Sequence, residues 1–119
     1  MKFIYLASPY TSYDFDYGKA LQIKEERFQK VCKKAADLMK EGYIVFCPIA
    51  HSHPIDPCGD RLPQTTSFWM EQDLPILSYV DELWVYKLPG WEESKRVREE
   101  IRFAMNNKKP VKWIEYVPD

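Results

Sequence analysis

Glycine is scarce in this chain, four residues in 119, and none stands in a GxxxxGK arrangement, which excludes a Walker-type phosphate loop. Cysteine is scarcer still. Cys32, Cys47 and Cys58 form no CxxC pair and leave an odd one over, so a disulfide scaffold is not expected and the three read as packing residues in a reducing compartment. Neither sign of charge prevails: 17 basic residues face 18 acidic ones, for a net charge of -1. That balance argues against the broad basic surface that holds polymeric nucleic acid or an anionic membrane. Any anion site must therefore be local. No apolar run approaches the roughly 20 residues of a membrane span, and the apolar part of the opening "MKFIYLASPY" is too short for the core of a signal peptide. The expectation is one soluble, cytoplasmic domain over residues 1–119, without internal repeats or low-complexity tracts. A chain of that length buries roughly two-thirds of its unfolded surface.

What is present reads as alternating strands and helices. "KFIYLA" (2–7) is rich in β-branched and aromatic residues and ends at Ser8-Pro9, as a buried first strand does. From about Ala20 to Glu41 a helical pattern carries Phe28, Val31, Cys32, Ala35, Leu38 and Met39 on one face, and Gly42 closes it. "YIVF" (43–46) is unbroken apolar and predicts a strand covered on both faces. Four prolines and a glycine in "CPIAHSHPIDPCGDRLPQTT" (47–66) predict a long loop, of the kind that is usually functional. A helix interrupted by Pro75 is expected over 67–79, a strand over 82–88, a third long helix from Ser94 to about Asn107, and a last strand over 110–116. The alternation predicts a small flavodoxin/Rossmann-like α/β domain, an open parallel sheet of four to five strands with flanking helices. In such sheets ligands bind beyond the carboxyl ends of the strands, where strand order reverses. That rule gathers Ser8, Pro9, Tyr10, the loop around His51 and residues 89–94 at one cleft.

Two carboxylates stand where apolar residues belong. In "SKRVREEIRFAM" (94–105) the core stripe of a helix runs through Val97, Ile101, Ala104 and Met105. Glu100 comes three residues after Val97 and four before Ala104, so it flanks that stripe, whereas Glu99 points the opposite way into water. The plain reading of Glu100 is a boundary residue paired with Arg96 one turn earlier, worth about 0.3 kcal/mol. Asp73 is harder to place on a surface, lying four residues after Trp69, three after Met70, three before Ile76 and four before Leu77. Hydrogen bonds to loop amides, or a helix displaced by Pro75, would each account for it. Otherwise two inward-turned carboxylates from different helices share a cleft. An unpartnered buried carboxylate costs several kcal/mol or takes up a proton. Such a pair suits cleavage of a glycosidic bond, where one carboxylate attacks or stabilises the anomeric carbon and the other protonates the leaving group.

Ser94 is a good N-cap for the third long helix. Lys95, Arg96 and Arg98 then put cations where the helix dipole disfavours them, by roughly 0.3 to 1 kcal/mol each. Glu92 and Glu93 can offset this charge, and so can an anion bound at the helix start. The segment "HSHPIDPC" offers His51, His53, Asp56 and Cys58 as metal-ligand types, but without the regular spacing of zinc sites, so no metal is expected. Tyr5, Tyr10, Tyr13, Trp69 and Trp91 are candidates for a stacking wall, or simply for core.

"IYLAS" (4–8), "EQDL" (71–74), "VDELWV" (80–85) and Ser94 six residues before Glu100-Ile101 resemble, in order, the landmarks of the nucleoside 2-deoxyribosyltransferase superfamily. The resemblance is greatest to its 2'-deoxynucleoside 5'-monophosphate N-glycosidase branch. "IYLASPY", "FCPIAHSHPI" and "LPGWEES" further resemble a family of short bacterial and phage proteins of that fold. The resemblance implies Glu100 as nucleophile, Asp73 as the group assisting the leaving base, and Tyr5 as the residue orienting the nucleophile. It also implies that Ser8 and Ser94 hold the 5'-phosphate and that His51 lies near the base. A nucleotide or nucleoside substrate, no metal or organic cofactor, and a homodimer or larger homo-oligomer follow from the same resemblance. Where those glycosidases have glycines and a tyrosine before the glutamate, this chain has Lys95, Arg96 and Arg98. Two other readings use the same cleft: a nucleotide-binding or sensing module without turnover, and a hydrolase of a larger N-glycoside such as NAD.

Overall fold

Strand β1 (Phe3–Ala7) runs through the middle of the sheet, and its alternation of side chains organises everything else. Ile4 and Leu6 point to one face, Tyr5 and Ala7 to the other, and all four are fully buried. The structure is a computed structural model that describes residues 2–60 and 62–118. In chain order the elements are β1, α1 (Tyr17–Lys40), β2 (Ile44–Phe46), α2 (Pro48–Ile55), a 3-10 turn (Asp56–Gly59) and α3 (Thr66–Tyr79). They continue with β3 (Glu82–Lys87), a short 3-10 turn (Trp91–Glu93), α4 (Lys95–Asn106) and β4 (Val111–Glu115). The four strands are all parallel in the order β2-β1-β3-β4, so the chain steps to one side of β1 and later to the other. The reversal lies between β1 and β3, where Tyr5 aligns with Leu83 and Leu6 with Trp84.

One core packs Ile4, Leu6, Trp84 and Tyr86 against Val31, Ala35 and Leu38 of α1, with Ile49 of α2 joining it. The other packs Tyr5, Ala7, Leu83 and Val85 against Leu77 of α3 and Val97 and Ala104 of α4. The sheet is thus covered on both faces by helices, the Rossmann-like arrangement that the alternation of elements predicts.

Several local expectations are corrected. The proline-rich segment is not a loop throughout: Pro48 occupies the first turn of α2, where its missing N–H is one the helix would leave unpaired anyway. Helix α3 runs through Pro75 without a break. The only carbonyl deprived of its usual donor there is that of Glu71, and both residues are exposed, so water can take its place. Helix α1 starts at Tyr17, because the Asp16 side chain accepts from the Lys19 N–H at 3.1 Å and caps the helix three residues earlier than the apolar pattern begins. Strand β2 lies at the sheet edge and is only partly covered: Val45 packs against one core and Phe46 against the other, while Ile44 is 47% exposed. Met39 and Met105, assigned to apolar stripes, are more than half exposed at the ends of their helices. Among the described residues no helix is long and apolar enough to cross a membrane.

Candidate functional site

Side-chain alternation sends Tyr5 from β1 toward α4, and the helical period of α4 turns Glu100 back toward β1. The Tyr5 hydroxyl donates to Glu100 Oε2 in the interior. Glu100 is 2% exposed, and burial pushes its carboxyl up to about 7, with the Arg96 charge and the Tyr5 hydrogen bond opposing and Asp73 reinforcing. Burial, then the Glu100 charge, raises the Tyr5 phenol well above its ordinary value, so it remains a donor.

Asp73 is 2% exposed on α3. Arg96 Nη2 donates to its Oδ2 at 3.1 Å, and both side chains are nearly buried. Burial raises the Asp73 carboxyl, while Arg96 and then His51 pull it down. The local expectation that Arg96 pairs with Glu100 one turn away is corrected: Arg96 bonds across to α3 instead, with its guanidinium 5.5 Å from the centre of the Trp69 ring. A planar guanidinium held by a carboxylate and an aromatic face is fixed in orientation. Tyr5, Glu100, Arg96 and Asp73 therefore form one buried electrostatic group drawn from a strand and two helices. Glu99 lies on the other side of α4 and pairs with Arg102 at 2.9 Å.

Ser94 caps α4, its Oγ accepting from the Val97 N–H at 3.2 Å, and is itself buried. Ser8, immediately after β1, is 3% exposed, and its Oγ has no hydrogen-bond partner among the described residues. A buried hydroxyl left without a partner costs on the order of 1–3 kcal/mol, so a ligand or water bound there would recover it. Pro9 is buried and Tyr10 half-buried. Arg27 of α1 joins the two strand ends across the point of reversal, with Nη1 2.8 Å from the Thr11 carbonyl and Nη2 3.0 Å from the Pro89 carbonyl.

The sequence profile of the family described as "Domain of unknown function (DUF1937)" matches residues 2–116. The chain belongs to that family. No curated protein matches the chain. Around its point of strand reversal a narrow cavity is walled by Tyr10, Thr11, Tyr13, Ser52, Asp56, Gln64, Thr66, Trp69, Ser94, Lys95 and Arg96. The space free inside it is about 40 Å³, room for water but far below the roughly 300 Å³ at which ligand pockets begin. Arg96 reaches from this wall to Asp73, so the cavity and the buried carboxylates are connected through one side chain.

Of the candidate stacking residues, Tyr10, Tyr13 and Trp69 line the cavity. Tyr5 is core, and Trp91 packs on Trp113 with ring centres 5.6 Å apart. His51 is exposed, 5.8 Å from Phe46 between ring centres, and acts on Asp73 only through its charge. The candidate metal-ligand types diverge. His53 engages Tyr10 and Glu25, Asp56 accepts from Gln64, and Cys58 Sγ lies 3.5 Å from the Pro54 carbonyl. Among the described residues no three His, Cys, Asp or Glu side chains gather as a metal set. Sequence reasoning missed Glu25, Arg27 and the place of His53 beside Tyr10. They are brought together by the packing of α1 on α2 and the β1–α1 segment, which no local spacing encodes.

Proposed function

We propose that this chain cleaves the bond between base and sugar in a nucleotide, with Glu100 and Asp73 as the reacting carboxylates. One observation carries the reading: two carboxylates on different helices are each 2% exposed, Tyr5 bonds one and Arg96 the other, the charges of Arg96 and Asp73 act on Glu100, and Arg96 also walls the cavity at the strand ends. Buried ionisable groups of this kind are costly for a purely structural role. The resemblance of the short motifs around Tyr5, Asp73, Ser94 and Glu100 to deoxyribosyltransferase-type enzymes supports the same reading.

In the proposed reaction, Glu100 attacks C1' as the C1'–N bond breaks through an oxocarbenium-like state, and Asp73 delivers a proton to the departing base nitrogen. Water then bonds to C1', gives a proton back to Asp73, and Glu100 leaves as carboxylate. Tyr5 steadies the negative charge on Glu100 by donating to it. A phosphate at the α4 start, near Ser94 with the orphan Ser8 hydroxyl as a further donor, would compete with Asp73 for Arg96. Released from Arg96, Asp73 would be free to hold the proton it must deliver. A homodimer belongs to the same reading. The groove between α3 and α4, lined by Met70, Leu74 and Pro75 with Lys95, Arg98 and Arg102, is a surface consistent with it.

A second assignment exchanges the two roles, and the electrostatics favour it at one point. Arg96 bonds directly to Asp73, whereas burial carries Glu100 to about 7, a value suited to a general acid. Rescue by azide separates the two: the alanine variant of the nucleophile regains base release with azide, and that of the acid does so only with substrates whose base leaves unaided. The test of the reading itself is to incubate wild type and Glu100→Ala with deoxynucleotides, ribonucleotides, nucleosides and NAD and to follow free base by chromatography. Base release by wild type that Glu100→Ala loses by at least ~100-fold is expected. Undiminished release by Glu100→Ala would sink the role of Glu100.

A further inference from the structure

We propose that Tyr10, held by His53 and Glu25, is a specificity residue that selects ligands presenting a hydrogen-bond donor to the cavity. The inference rests on the nucleotide reading above for the identity of the ligand, but not on catalysis. His53 of α2 stands between two partners: its Nε2 is 3.0 Å from Glu25 Oε2 of α1, and its Nδ1 is hydrogen-bonded to the Tyr10 hydroxyl. Phe28 stacks on the imidazole, with ring centres 3.9 Å apart and planes 20° apart, which fixes the ring.

A carboxylate can only accept, so when the imidazole carries a single hydrogen that hydrogen sits on Nε2, facing Glu25, and the lone pair on Nδ1, facing Tyr10. The Tyr10 proton is thereby committed to His53. What the phenol oxygen retains is acceptor capacity. Tyr10 walls the cavity together with Asp56 and Arg96, and its hydroxyl oxygen is the acceptor that the proposal assigns to a bound ligand. The backbone is held too, by Arg27 at the Thr11 carbonyl, and Lys24 lies 4.8 Å from the centre of the Tyr10 ring. An acceptor so fixed discriminates strongly, because a ligand that presents its own acceptor there leaves both groups unpaired. The cavity is then two-sided, with Arg96 and the start of α4 for an anion and Tyr10 beside Asp56 for a donor. Glu25 and His53 are positioning residues that act through Tyr10.

Two groups of a nucleotide supply such a donor, an exocyclic amine of the base and a hydroxyl of the sugar. Binding of dAMP, dIMP, AMP and IMP to the Glu100→Gln protein, measured by calorimetry, separates them. The pairs dAMP/dIMP and AMP/IMP differ at the base, and dAMP/AMP and dIMP/IMP at the sugar. The expected result is a preference of about tenfold or more for the donor-bearing member along one of the two comparisons. Tyr10→Phe should shrink that preference to within about twofold. Glu25→Gln, which no longer fixes the imidazole tautomer, should reduce it without weakening the disfavoured member, a change that mere loosening of the fold would not produce. Equal binding of all four nucleotides, or a preference that survives Tyr10→Phe, overturns the inference, and so does absence of binding by all four. A Tyr10-dependent preference in a wild type that releases no base would leave the inference standing and remove the glycosidase. Base release without such a preference would do the reverse.

Discussion

Replacing Glu100 by Gln should stabilise the protein, and only above the pH at which an exposed glutamate ionises. The folded carboxyl sits at about 7 against an ordinary value of 4.5. Between those values the unfolded chain has lost the proton while the folded chain keeps it, so folding becomes less favourable as pH rises; above the folded value the penalty is constant. The difference corresponds to about 3 kcal/mol, on the order of 1.4 kcal/mol per pH unit. Glutamine keeps the volume and can still bond Tyr5, but never ionises. Asp73 titrates in both proteins and cancels to first order. The quantity to measure is the stability of Glu100→Gln minus that of wild type, from urea unfolding followed by tryptophan fluorescence between pH 4.5 and 8.5. It should rise by about 3 kcal/mol across that range, equivalent to roughly 12 °C in Tm for a domain of this length. A difference constant to within about 0.5 kcal/mol would mean that the folded carboxyl titrates as an exposed one does, and the argument from its burial would fail.

Other perturbations follow from single contacts. Arg96→Met leaves Asp73 buried without its ion-pair partner, and a loss of about 3–5 kcal/mol at pH 7 is expected by denaturation, reduced in Arg96→Met/Asp73→Asn. Tyr5→Phe removes the donor to Glu100, which should move the titration of Glu100 upward and shift the acidic limb of the activity profile to higher pH. Ser94→Ala removes the cap of α4, for a loss of about 1 kcal/mol. At Gly90, with φ of 93°, an added Cβ would stand 2.4 Å from Arg27 Nη2. Gly90→Ala should therefore destabilise by about 1 kcal/mol or more and increase proteolytic cleavage after Tyr10, where Arg27 ties down the loop.

The sheet was legible because each strand carries its own local signal. Unbroken apolar, β-branched and aromatic runs in β1 and β3, helical periods in α1 and α4 and caps at Ser94 and Gly42 all point to one fold. The same periodicity separates Glu100 from Glu99 and turns Asp73 inward. Composition misled where proline was taken only as a breaker: Pro48 starts a helix and Pro75 sits on an exposed side of one. Position in the sheet was not legible either, since "YIVF" looks fully covered, whereas β2 at the edge is covered only in part. Arg96 shows the limit most clearly. Sequence spacing offers it Glu100, one turn away, whereas packing of α3 against α4 brings Asp73 to within 3.1 Å of its guanidinium. The Glu25, His53 and Tyr10 contacts come from three segments that meet only after folding.

Covalent bonding of Glu100 to the sugar is tested by peptide mass mapping of the protein quenched during turnover of a 2'-deoxynucleoside 5'-monophosphate. A deoxyribosyl phosphate adduct is expected on Glu100 in wild type, accompanied by free base, and none in Glu100→Gln. An adduct on Asp73 would reverse the assigned roles, and base release with no adduct on either carboxylate would contradict covalent catalysis by Glu100.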